Sequence, residues 1–571
     1  MKEDFIFSNN IGNTINLNEY AFSFNENENL FKTETLHYGW LDPESSYENY
    51  VYSRECYNKI LLLLAKELNN VHNVKRSVRY WEIIIGAWLV LFVNIILDRY
   101  LCIKKLHSKY NPSKIDAVSE EILFVFRDFN DFISYLNNKN YNLFLFDFIH
   151  NYLSNNRNNY KDLQFSDLKK ISKKNLFLNK IKNFYNKITN KISKYTFVCS
   201  YIPIRYELVL NLLLKQLPYF LINEVDESNI FDFEKRKKLN LISENSDEFL
   251  KLLTQILPLQ IPHCYIERFR VYEKKAYELF PANNKAIFTS NAHFWHEPFK
   301  FWAASQTEQG VPLYISQHGG NYGIGKFSCN EEFERSIASK FITWGWGGNL
   351  EKAIHLPSLK LKAFAKKAKS NNKNTKIILV SLFLPKFSYS LISFPFSSRY
   401  FYYLDDQKLF VQNLDSEVVK HLTARIPNND YGWGLKSKYK LFSDEISFES
   451  ADEILFFKSV SQARIIVTTY NGTTLLETLC ANVPTIIFWD IKYSEIRDSA
   501  APFFEELKSV GIFHDSPISA ALFLNKVYEN PSHWWQSNSV QTVIKNFCNR
   551  FAFQNANPLQ EWVNFFKNNE S

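Results

Sequence analysis

Ala463-Arg464-Ile465-Ile466-Val467-Thr468-Thr469-Tyr470-Asn471-Gly472-Thr473-Thr474-Leu475-Leu476-Glu477 is the stretch on which the fold turns. Its apolar run to Thr468 has the texture of a buried strand, and Thr474 to Cys480 that of a helix. Small hydrogen-bonding residues lie between them, and Pro484-Thr485-Ile486-Ile487-Phe488-Trp489 supplies a further strand. Strand, turn, helix and strand make the unit of a parallel α/β sheet, which holds ligands at the carboxyl ends of its strands. A similar passage comes earlier: an apolar run from Val311 enters Ser316-Gln317-His318-Gly319-Gly320-Asn321-Tyr322-Gly323. Two such strand ends predict two α/β lobes facing one cleft, with an imidazole on one side and hydroxyl and backbone donors on the other.

Working outward, the chain's 571 residues call for two or three domains, since single cores rarely exceed ~250–300 residues. The expected fold class is α/β, with two Rossmann-like lobes and a largely helical N-terminal region. That region covers residues 1–195. The first lobe, with the His-Gly-Gly loop, covers 196–350, and a donor-binding lobe covers 370–571. Hydrophobic residues make up 46% of the chain, enough to fill a large core. A charge of +8 is modest, and with no nucleic-acid motif beside it no nucleic-acid partner is expected. Seven scattered cysteines without a C-x-x-C pair fit a reducing cytoplasm better than a disulfide or zinc framework. Met1-Lys2-Glu3-Asp4-Phe5 lacks the pattern of a secretory signal. The apolar segment Ile83–Leu97 falls short of the ~20 residues that span a bilayer and reads as a buried helix.

Lys161–Tyr195 holds ten lysines against two acids, with Ile181, Phe184, Ile188, Ile192 and Tyr195 at helical spacing. Two readings stand: a basic amphipathic helix lying against the inner membrane, or a helical insertion with a solvated lysine face.

His318 is the candidate catalytic residue, because an imidazole at a strand end can take a proton from a hydroxyl at neutral pH. Gln317, Gly319, Gly320 and Gly323 form its supporting loop, the glycines being expected to adopt positive φ near a ligand. The donor side is expected to use Asn471, Gly472, Thr473 and Thr474, with Thr473 as N-cap and the free N–H groups of the first helical turn holding phosphate. Glu477 either accepts from ribose hydroxyls or closes a capping box. Arg425, at a strand end, either grips phosphate or pairs with a carboxylate. Asp490, His293, His296 and Glu297 are secondary candidates. No G-x-x-x-x-G-K-[ST], no strand-linked G-x-G-x-x-G, no H-E-x-x-H and no strand-end Asp-x-Asp occurs; Asp232-Phe233-Glu234 is the nearest to the last. Chemistry without metal or cofactor is therefore expected, with a nucleotide-activated donor as substrate.

A resemblance joins these features. Arg79-Tyr80-Trp81 with Gly86-Ala87-Trp88-Leu89, the Gln317–Gly323 loop, Thr343-Trp344-Gly345-Trp346, Tyr431-Gly432-Trp433, Tyr470–Glu477 with Pro484–Trp489, and Trp534-Trp535 stand together. The combination resembles bacterial transferases of O-antigen and other surface-polysaccharide gene clusters, over residues 30 to 555. The layout is also distantly similar to the CDP-glycerol glycerophosphotransferases, GT-B proteins in which a His-Gly strand end supplies the base. The resemblance implies a GT-B-like, cytoplasmic glycosyltransferase, peripheral to the inner membrane, acting on a glycan or lipid-linked acceptor. The turn Asn471-Gly472-Thr473-Thr474 departs from that family's acidic pattern, so donor identity does not carry over. The rival readings are a nucleotide-sugar epimerase or hydrolase, and a non-catalytic glycan-binding protein on the same fold.

Overall fold

The computed structural model describes residues 40–569, except 41, 111–113, 117–121, 157–161, 166–172, 190–192, 223–227, 242–245, 349, 369–373 and 397–398; ahead of residue 40 it describes only four short strands between Phe5 and Thr35. Residues 161, 166–172 and 190–192 of the lysine-rich segment therefore lie outside the described residues.

Five parallel strands form the first sheet: β1 (Tyr195–Val198), β2 (Ala286–Thr289), β3 (Leu313–Ser316), β4 (Lys340–Thr343) and β5 (Ala353–His355), in spatial order 5-4-3-2-1. The second sheet has β6 (Lys376–Val380), β7 (Leu422–Ile426), β8 (Ser447–Ser450), β9 (Ala463–Thr468), β10 (Thr485–Phe488) and β11 (Phe513–His514). These are parallel too, in the order 8-7-6-9-10-11. That is the doubly wound Rossmann order, and its direction reverses between β6 and β9, where such sheets open a ligand crevice. The two-lobed α/β reading holds.

The helices that place the site are α1 (Pro43–His72), α2 (Val78–Tyr110), α3 (Lys173–Thr189), α4 (Ile204–Leu213), α5 (Cys329–Ile337), α6 (Leu359–Lys367), α7 (Thr473–Cys480), α8 (Asn538–Phe551) and α9 (Pro558–Asn568). The apolar stretch of α2 is long enough to cross a membrane, yet 94% of it is buried within the protein. Its hydropathy is consumed by packing against α1 and the first lobe.

Strand alternation explains how the first sheet is covered. Ile287, Leu313, Ile315 and Phe341 pack into the core that contains α1 and α2. Phe197, Phe288, Tyr314 and Ile342 pack instead with Trp562 and Phe566 of α9. The last helix of the chain, inside the 370–571 span, thus covers the first sheet.

Candidate active site

β3 ends at Ser316 and delivers His318 to the cleft, a quarter exposed. Its Nδ1 lies 3.5 Å from Oε1 of Glu334 on α5, and the same oxygen lies 3.0 Å from Nε2 of His293. The Tyr322 hydroxyl is 3.3 Å from His318 Nδ1, and the Tyr201 and Phe294 rings flank the imidazole. Burial, with the Lys360 ammonium nearby, pushes the His318 imidazole down to about 4. Burial likewise drives the Glu334 carboxyl well above the usual carboxylate range, opposed by the Tyr322 hydroxyl and aided by Glu331. The His318 imidazole is therefore neutral rather than cationic at physiological pH.

Gln317 is structural. Its Oε1 accepts from Trp344 N–H (3.1 Å) and Trp346 Nε1–H (2.7 Å), while Nε2 donates to the Gly319 carbonyl (2.9 Å). Of the three loop glycines only Gly323 has positive φ (72°), and its Cα packs on the Trp346 ring. Gly319 and Gly320 serve a different need from the expected one. A Cβ on Gly320 would fall 2.2 Å from the Gly472 carbonyl carbon and 2.5 Å from Thr473 N. The two lobes meet backbone to backbone at this point, and Gly320 N–H donates to Thr473 Oγ1 (2.8 Å).

Thr473 is consequently an interlobe tie and not a cap. The N-cap of α7 is Gly472, in extended conformation with no side chain capping the helix, and the capping box expected of Glu477 is not formed. The turn sits at the reversal of strand order. Three buried oxygens there, Thr468 Oγ1, Asn471 Oδ1 and Thr474 Oγ1, have no hydrogen-bond partner among the described residues. The Thr474 hydroxyl lies beside that of Tyr470. Burial raises the Glu477 carboxyl to about 7 in spite of the attraction of Lys360 and Arg425.

Arg425 does not offer itself to phosphate. Nη1 bonds Glu449 (2.9 Å) and Ser459, and Nη2 bonds the carbonyls of Ala451 and Ile454. Lys360, on α6, brings a cation near both His318 and Glu477. Its ammonium donates to the His318 carbonyl (3.0 Å), and its pKa is lowered by burial against the pull of Glu477. Of the secondary candidates, His293 joins the Glu334 carboxyl beside His318, and the other three are committed elsewhere. His296 caps the helix Glu297–Glu308 by accepting from Phe299 N–H, Glu297 pairs with Lys300 (2.7 Å), and Asp490 closes a turn onto Lys492 N–H. Asp232 caps a short helix. Among the described residues no three His, Cys, Asp or Glu side chains gather for a metal ion.

Glu334, Tyr322 and Lys360 were not singled out by the sequence reading. Glu334 and Lys360 owe their places to elements apart from the His318 loop, whereas Tyr322 lies within it, four residues from the histidine.

No curated protein matches this chain. Among solved structures, MurG of Acinetobacter baumannii is similar at 11% identity, over 66% of this chain and 100% of that one, with a TM-score of 0.34. A UDP-glucose:anthocyanidin 3-O-glucosyltransferase solved with UDP is similar at 12% identity, over 69% of this chain and 96% of that one, with a TM-score of 0.30. The model of the LIC12162 family of transferases matches residues 5–566, and the chain belongs to that family.

Proposed function

We propose that this transferase moves a sugar, or a related group, from a nucleotide-activated donor to a glycan or lipid-linked acceptor in surface-polysaccharide assembly, working in the cytoplasm at the inner membrane. The observation that carries this reading is the meeting of the His318 loop with the uncapped start of α7 at the strand-order reversal. His318 takes the proton of the acceptor hydroxyl, whose oxygen then attacks the donor carbon. The nucleotide phosphate departs with the bonding pair, stabilised by the N–H groups of α7 and by Lys360 without a metal. Glu334 and Tyr322 hold the imidazole in place.

A thermal-shift series with UDP, GDP, CDP, CMP and TDP compounds tests donor binding, because a ligand of the native state raises Tm by mass action. Incubation with donor alone separates the rivals: an epimerase or hydrolase turns over without acceptor, and this enzyme does not. A protein that binds glycan but no nucleotide would be a binding module.

Glu477 gives the donor site a pH signature. With its carboxyl raised to about 7, the ionised form that accepts ribose hydroxyls dominates only above that pH. Donor KM is expected to fall as pH rises through 7, and Glu477→Gln to flatten the profile and raise KM at high pH. A wild-type KM independent of pH would remove Glu477 from the donor site.

The acceptor side faces an apolar rim. Phe177, Ile181, Phe184 and Ile188 of α3 are exposed at helical spacing, as are Ile204, Leu208 and Leu212 of α4. Asn186, Lys182 and Tyr185 tie α3 to the chain at 220–221. The surrounding lysine excess matches an anionic leaflet, and Tyr201, just before α4, lies against His318. Lys180→Glu with Lys187→Glu is expected to weaken binding to phosphatidylglycerol vesicles by at least about tenfold, at ~1 kcal/mol per basic residue. Equal binding by the variant, or none by the wild type, would leave the lysine face merely solvated.

A further inference from the structure

A cavity of 480 Å³ opens on the seam between the lobes; Gly323 of the His318 loop lines it, but His318, Lys360 and the Asn471–Thr474 turn do not. The seam itself is backbone pairing: Gly325 bridges Ile496, Lys326 N–H donates to the Glu495 carbonyl, and Arg497 N–H donates to the Ile324 carbonyl. The first lobe lends the cavity α5 and the Trp346–Gly348 break, the second lends Arg497 and Ser499, and α8 lends Arg550.

Its charges do not balance. Glu331 is held by Arg497 through two bonds (3.2 and 2.9 Å), and Glu332 by Arg54 (2.8 Å). Arg335 reaches Glu331 only at 3.7 Å, and its buried Nε has no partner. Among the described residues Arg550 makes no ion pair, and its buried Nε is also without a hydrogen-bond partner. Exposed Lys326 adds a third positive charge, its ammonium over the Tyr47 ring. Two forked guanidinium groups and an ammonium facing a sugar-sized space, with both local carboxylates already neutralised, form a site for an oxyanion. Gly348 stands exposed at the rim, where a Cβ would meet nothing within 4 Å.

We propose that this seam cavity binds a phosphate- or carboxylate-bearing ligand of monosaccharide size, gripped by Arg335 and Arg550. The site stands independently of the transfer reaction proposed for the His318 cleft. Calorimetric titration of the full chain with inorganic phosphate, glucose 1-phosphate and glucuronate, at constant ionic strength, tests it. Saturable binding is expected, weakened at least about tenfold by Arg335→Gln with Arg550→Gln, the loss of charge-assisted bonds. Gly348→Leu, which adds bulk at the rim without touching the charges, is expected to weaken binding as well. Lys360→Met, altered in the cleft alone, is expected to leave it unchanged. Binding of glucuronate alone identifies a sugar acid, and binding of the phosphates a phosphorylated sugar. The proposal is overturned if none of the three probes binds, if affinity survives both seam variants, or if Lys360→Met abolishes it.

Discussion

Replacing His318 with alanine is expected to slow turnover by ~10²–10⁴-fold while donor affinity stays close to wild type. The size of the effect follows from the role: removing the base leaves the acceptor hydroxyl to lose its proton to water, whereas the phosphate-holding groups lie on α7 and α6. The pH profile sharpens the test. The imidazole is held near 4 by burial, below the ~6.5 of a free side chain, so protonation disables the base only as pH falls through about 4. The acid limb of kcat/KM should therefore lie near that value in wild type and vanish, along with most of the rate, in His318→Ala. Single-turnover kinetics with saturating donor separates this loss from weakened binding. A rate within a few-fold of wild type would make His318 a structural part of its turn.

Gly320→Ala should be the most damaging substitution that removes no functional group. The added methyl would overlap the backbone of Gly472 and Thr473, which cannot rotate aside as a side chain can. Overpacking of this kind costs ~1–3 kcal/mol, and relief requires the lobes to part at the point where the donor turn is fixed. Both Tm and kcat are expected to fall, and the bond from Gly320 N–H to Thr473 Oγ1 to be lost. Gly348→Ala, adding the same methyl in open space, should leave Tm unchanged. If the two variants melt alike, the seam is softer than its geometry implies.

Much of the fold was legible because its central strands are long apolar runs ending in turn residues. β3, β6, β9 and β10 are buried throughout or nearly so, which leaves a signature in sequence. The edge strands β5, β8 and β11 left none. β8 is Ser447-Phe448-Glu449-Ser450, half exposed and polar, and becomes a strand only because β7 is there to pair with. Without β8 in view, the choice between the two roles of Arg425 stayed open. In the β7–β8 register Arg425 stands directly opposite Glu449, so the arginine at a strand end is answered by its neighbour rather than by a ligand. The His318 loop and the Asn471–Thr474 turn were visible through their glycine, threonine and asparagine content. The Glu334 carboxyl that unites His293 with His318 was not, because α5 carries it with no unusual spacing and only the packing of three separate segments brings it there.

The position of α9 sets a constraint on biosynthesis. Tyr195, Phe197, Phe288 and Tyr314 leave the ribosome long before Trp562 and Phe566, the side chains that will cover them, have been translated. Throughout that interval the nascent sheet presents a bare aromatic surface, of the kind that recruits chaperones or aggregates. Cleavage ahead of Pro558 would expose the same surface in the finished protein, so its amino-terminal lobe survives only while its carboxyl-terminal helix stays attached.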